Sequence, residues 1–162
     1  MGTYGYEDIY DYTGVDPEDR IIANAGKTSI STYYPSSQEE IDKTTTITLI
    51  VDGGGQVIPA GHKSYLRIPF DCTITEWSLV ADQTGSIVID VWKDTYANFP
   101  PTVEDSITGS EKPTLSSAIS NEDIDLTTWS AGVVAGDILS FYVQATPASV
   151  TKVTLSLKVI RS

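Results

Sequence analysis

Residues 73–92 read TITEWSLVADQTGSIVIDVW. Thr73–Ala81 alternates, with Ile74, Leu79 and Ala81 apolar and Trp77 slightly out of phase. Ser86–Trp92 is a second run, rich in Ile and Val. Alternation of period two is the signature of a half-buried strand, and β-branched residues favour the pleated surface. Asp82-Gln83-Thr84-Gly85 between the two runs reads as a turn. The stretch therefore predicts two antiparallel strands joined by a hairpin.

Working outward, the same pattern recurs. Thr46–Val51 is a strand, closed by the turn Asp52-Gly53-Gly54-Gly55. Gln56–Pro59 and Ser64–Phe70 flank a turn at Ala60–Lys63. Asp125–Trp129, Ile138–Ala145 and Val150–Ile160 complete the set, with a turn over Ala131–Gly136. In the last strand Val153, Leu155, Leu157 and Val159 alternate strictly. No helical pattern exceeds a turn or two, and no repeat is present. The expected fold is all-β, an antiparallel, jelly-roll-like β-sandwich.

Two segments depart from this pattern. Residues 90–117, DVWKDTYANFPPTVEDSITGSEKPTLSS, begin a polar excursion that runs almost to Leu126. Unstructured loops of that length are uncommon in compact domains and are usually functional or disordered. Aromatic anchors at Tyr96 and Phe99, the stiff pair Pro100-Pro101 and apolar Leu115 and Ile119 predict a loop pinned across a sheet. Residues 1–45 hold nine acidic residues, three basic ones and six of the nine tyrosines. Ile21-Ile22 reads as a short strand and Ser36–Glu40 as one helical turn. Such a segment has no core of its own, and its tyrosines are unlike a disordered tail. It is expected to be an extended arm that orders on a partner, with the sandwich occupying 46–162. Tyr4, Tyr6, Ile9, Tyr10 and Tyr12 are the expected anchors, since Tyr buries area while keeping a hydrogen-bonding tip.

The chain has 162 residues and a net charge of −12. That balance argues against nucleic acid, whose affinity rests on Lys and Arg at phosphates, and against an anionic membrane surface. No apolar run is long enough to span a bilayer, and the N-terminus lacks a signal-peptide pattern. One cysteine, Cys72, excludes an internal disulfide and reads as a small buried hydrophobe. The lone histidine, His62, sits in a Gly-His-Lys turn with no triad spacing around it. The acidic clusters Asp16–Asp19 and Glu122–Asp125 lack the order of a calcium loop, and zinc has too few ligands. No catalytic residue, cofactor or metal is expected. Trp77, Trp92 and Trp129, with Tyr65, Tyr96, Phe99 and Tyr142, offer either a core or a sugar-stacking platform; core is the better reading for the three tryptophans. Tyr96 and Phe99 remain as exposed-loop contacts.

From Gly55 to Ile160 the wording resembles a β-sandwich domain of tailed-bacteriophage virion proteins, found in tail-fibre-like, minor tail and head-decoration proteins. Ala81-Asp82-Gln83-Thr84-Gly85-Ser86 and Trp92-Lys93-Asp94-Thr95-Tyr96 carry the likeness most specifically. The resemblance implies a structural role in the virion, homotrimers and no catalytic residues. With neither heptads nor repeats to make a shaft, the expectation is a capsid decoration (cement) protein bound to the major capsid protein, rather than a short head or tail fibre binding host glycan.

Overall fold

A computed structural model describes residues 43–144 and 147–162. The arm anchors Tyr4, Tyr6, Ile9, Tyr10 and Tyr12, the short strand at 21–22 and the helical turn at 36–40 lie outside them. The compact unit runs from Lys43 to Ser162.

Among the described residues seven strands follow in order: β1 (Thr44–Asp52), β2 (Lys63–Arg67), β3 (Cys72–Asp94), β4 (Thr114–Asp123), β5 (Gly132–Val133), β6 (Ile138–Val143) and β7 (Lys152–Arg161). All pairings are antiparallel. The path is β1-β7-β3-β6-β2, with β4 and β5 also paired to β3. The first half of β3 lies against β7, Leu79 opposite Leu155. Its second half lies against β6, Val91 opposite Phe141. By changing partners, β3 serves two sheets and the whole curls into an all-β, jelly-roll-like sandwich. Leu155, Leu157, Leu79 and Val51 from one sheet share a single buried core with Ile89, Val91, Leu139 and Phe141 from the other.

The hairpin expected within 73–92 does not exist. β3 continues unbroken through Asp82–Gly85, and the polar residues there form a bulge. From Val80 to Gly85 β3 advances five residues while β4 advances two, from Ser120 to Ala118. The surplus bends the strand from one sheet into the other, which is the usual effect of a bulge. Asp82 accepts hydrogen bonds from the Lys152 amide at 3.0 Å and the Thr151 amide at 3.2 Å. These bonds do for Asp82 what a turn would have done. A second register shift between Ile74 and Glu76 restores phase, so that Trp77 and Leu79 share the inner face with Ile74.

Other expectations shift more modestly. Residues 56–59 make no strand, although the Ile58 amide bonds the Val150 carbonyl at 3.0 Å. The Asp52–Gly55 turn is present, with Gly54 and Gly55 both at positive φ. Residues 125–129 form no strand either. There the Glu111 carboxylate accepts from the Thr128 amide at 2.8 Å and from the Thr127 and Thr128 hydroxyls. A side chain has replaced the ladder.

Gly85 is required by close approach rather than by backbone angle. A Cβ there would stand 2.2 Å from the Ala148 carbonyl oxygen and 2.7 Å from Val150 Cγ2. Gly85→Ala is therefore expected to cost about 1–3 kcal/mol in a thermal or denaturant melt. Gly132→Ala, where a Cβ meets nothing within 4 Å, should stay within about 0.5 kcal/mol of wild type. Equal effects at the two positions would remove the bulge from the account.

Candidate functional site

The polar excursion is mostly structure. Single-turn 3-10 helices occupy Tyr96–Asn98 and Val103–Asp105, and β4 fills Thr114–Asp123. The second helix carries a capping box between Thr102 and Asp105. Backbone bonds then tie the segment to β3. The Ile107 amide reaches the Val91 carbonyl and the Ile89 amide reaches the Pro113 carbonyl, each at 2.9 Å. The expected pinned loop is thus a strap laced along the edge of β3.

One carboxylate holds the strap. Asp90 interrupts the apolar run Ile87–Val91 and is buried on the outer side of β3. Its Oδ1 accepts from Ser106 Oγ and Thr108 Oγ1, both at 2.7 Å. Its Oδ2 takes Lys112 Nζ at 2.5 Å. Burial, the largest single influence, pushes the Asp90 pKa up; the bonds from Lys112, Ser106 and Thr108 together outweigh it and leave the carboxyl below its ordinary 3.8. The Trp92 indole N–H adds to that lowering from nearby, although it stands outside hydrogen-bond geometry. A buried pair of this kind adds little net energy over an apolar equivalent, but breaking it strands a charge. Its work is to specify where the strap lies.

Above this knot, β2, β6 and the second half of β3 turn an outer face away from the core. Register places Tyr65, Ser140 and Trp92 in one row. Arg67, Ile138 and Asp94 form the row on one side, and Lys63, Tyr142 and Asp90 the row on the other. Trp92 stacks on Tyr142 with centroids 4.5 Å apart, and Lys63 Nζ lies 4.9 Å from the Trp92 centroid. Phe99 comes back from the strap to meet Tyr65 edge-on at 4.9 Å. The Arg67 guanidinium sits 5.0 Å from the Tyr96 ring centroid. Exposure is 41% for Tyr65, 66% for Tyr96 and 49% for Phe99. The two loop contacts expected from sequence are therefore brought together with β2, on one aromatic and cationic face.

The remaining candidates separate from it. Trp77, Trp92 and Trp129 are all buried; Trp77 and Trp129 join the shared core, whereas Trp92 is buried on the outer face, against Tyr142 and Lys63. Trp129 lies outside any strand, its indole donating to the Glu111 carbonyl at 3.0 Å. Burial pushes the Cys72 thiol up, the opposite of what a nucleophile needs. His62 is within 3.3 Å of Ser64 Oγ in its turn. Among the described residues, no three His, Cys, Asp or Glu side chains converge as a metal site would require; Asp16–Asp19 lies outside them. Sequence reasoning passed over Asp90, Lys63 and Arg67. A lone acid inside an apolar strand was the available signal for Asp90, since such a charge must find a partner.

Lys112→Met, which leaves the Asp90 carboxylate without its cation, is expected to cost at least about 2 kcal/mol on denaturant unfolding. The pH dependence follows from the lowered pKa. A carboxyl depressed in the fold contributes stability that is complete above 3.8 and is lost as pH falls through the folded value. Asp90→Asn should accordingly melt with a shallower acid slope than wild type below about pH 4. Parallel slopes would show that Asp90 is not the titrating group.

No protein-family model matches the chain, and no curated protein does. Among solved structures, RmlC from Streptococcus suis, in complex with dTDP-D-xylose, is similar at 11% identity and a TM-score of 0.24. The likeness covers 80% of this chain and spans 50% of that one. At that score it says nothing about what this chain does.

Proposed function

We propose that this chain is a non-enzymatic structural protein of a tailed-bacteriophage virion, a capsid decoration protein that binds the major capsid protein through its Tyr-rich N-terminal segment. The observation that carries the reading is the use made of the long polar excursion. It is spent on bracing the sandwich through Asp90 and the β3 edge rather than on a mobile active-site loop. The resemblance of Gly55–Ile160 to virion sandwiches supports the same role.

The outer face of the other sheet supports assembly as a homotrimer. Register sets Thr48, Ser156 and Ser78 in one row and Ile50, Thr154 and Val80 in the next. Ile50 and Val80 are exposed, and the Lys158–Glu76 pair at 2.5 Å bounds the face. A surface of small polar residues with isolated apolar side chains, dished between Glu76, Ser78, Ser156 and Lys158, offers contact to another copy. The aromatic and cationic face favours a second reading, a short head or tail fibre whose sandwich binds host glycan.

Copy number in purified virions, measured by quantitative mass spectrometry against the major capsid subunit, tests the choice. Near-parity is expected for a decoration protein. A few copies per particle would move the chain to a fibre, and absence from virions would overturn both readings. Deletion of residues 2–20 should leave the sandwich's melting temperature unchanged and abolish attachment to particles; a deletion variant that still attaches would sink the arm.

A further inference from the structure

We infer that the outer face of β2, β6 and the strap is a binding site for a saccharide bearing a carboxylate, with Tyr65, Tyr96 and Phe99 stacking on sugar rings and Arg67 taking the acid group. The inference rests on the second reading's premise that the sandwich has a ligand, and it holds wherever on a particle the chain sits.

Charge points to the ligand's sign. Three ion pairs among the described residues neutralise Lys112, Lys152 and Lys158. Lys63 and Arg67 belong to none of them and are seated on aromatic rings instead. Two exposed cations on the same side of one strand, about 13 Å apart along the backbone, are a local exception on a chain of net charge −12. Of the two acids in these rows, Asp90 is paired with a cation and Asp94 is held by neutral donors only. Asp90 is bound to Lys112, and Asp94 accepts from the Thr95 amide at 2.6 Å and from Asn98 Nδ2 at 3.1 Å. A guanidinium resting on a ring keeps its N–H edge free, and that edge matches a carboxylate in bidentate geometry.

Shape points to a sugar. Beside Arg67 lies a depression of about 400 Å³ lined by Pro69, Ala135 and Gly136. Gly136 is there for its backbone, at φ +100°; a Cβ at that position would make ordinary contact, 3.6 Å, with an Arg67 guanidinium nitrogen. That volume falls at the lower end for small-ligand sites. Tyr65 and Phe99 meet edge to face and Tyr96 lies against Arg67, and all three stay partly exposed; an exposed ring face suits the C–H face of a pyranose. Nucleic acid, the other common anionic ligand with stacking rings, is opposed by the overall charge.

Titration of the full chain with sialyllactose and with oligogalacturonate, against lactose as the uncharged control, tests the assignment by ligand-observed NMR. Both acidic probes are expected to bind, and lactose to bind at least about ten-fold more weakly, the loss of one charge-assisted bidentate contact. Arg67→Gln should erase the preference for the acidic probes, and Tyr96→Ala should weaken all three; both side chains are exposed, so unchanged melting temperatures are the control for folding. No binding of either acidic probe, or binding that both variants retain, would overturn the proposal. So would self-association of the full chain that the same two variants abolish, which would make the face a protein contact. None of these outcomes depends on virion copy number, so this proposal and the virion reading fail separately.

Discussion

β3 is the constraint on which the rest of the molecule depends. A strand of 23 residues would overrun either sheet of a small sandwich if it stayed straight. Surplus residues at Asp82–Thr84 bend it, and Gly85 lets the 147–150 segment press directly against the bend. Every other strand takes its place from this one: β7 and β5 along the first half, β4 across the bend, β6 and the strap along the second, β1 and β2 outside them. Hydrophobic burial supplies the driving force, but burial is non-directional. The bulge decides which residues of β3 face the shared core.

The Asp90 knot turns that scaffold into a surface. The carboxylate gathers Ser106, Thr108 and Lys112 to one point, and the strap's path is thereby set. Fixing the strap also fixes Tyr96 and Phe99, because they lie between Asp94 on β3 and the anchored residues beyond Val103. Phe99 then meets Tyr65, and Tyr96 meets Arg67. Binding surfaces built on rigid elements lose less entropy when they engage a partner. The two outer faces differ in kind, one of Thr, Ser and isolated aliphatic side chains, the other of rings and cations. That difference leaves room for an assembly contact and a ligand contact on the same body.

Much of this was legible beforehand. Strict alternation in Val153–Val159 and in Thr46–Val51 showed both strand and face, since period two has one physical meaning on a half-buried sheet. The three tryptophans read as core from sequence; all are buried, Trp77 and Trp129 in the shared core and Trp92 on the outer face. Asp82-Gln83-Thr84-Gly85 misled because turn residues and bulge residues are the same residues: both leave the ladder, and only the partner strand's register separates them. Strand β4 was hidden for a related reason. TLSSAISNED is polar on most positions because one edge strand covers β3 while its other side faces solvent, so the apolar signal is nearly absent. Tyr96 and Phe99 stood out as large aromatics in a polar loop. Lys63 and Arg67 did not, because their meaning comes from β6 and the strap, far away in sequence.

Amide hydrogen exchange on the intact chain tests the central claim, that the polar excursion is a brace and not a loop. The amides of Ile89, Ile107 and Ser130, which bond the Pro113, Val91 and Ile107 carbonyls, should be protected to the same degree as those of Val153–Val159 in β7 and open with them in global unfolding. Exchange of residues 103–131 at the rate of a free loop, while β7 stays protected, would contradict the account.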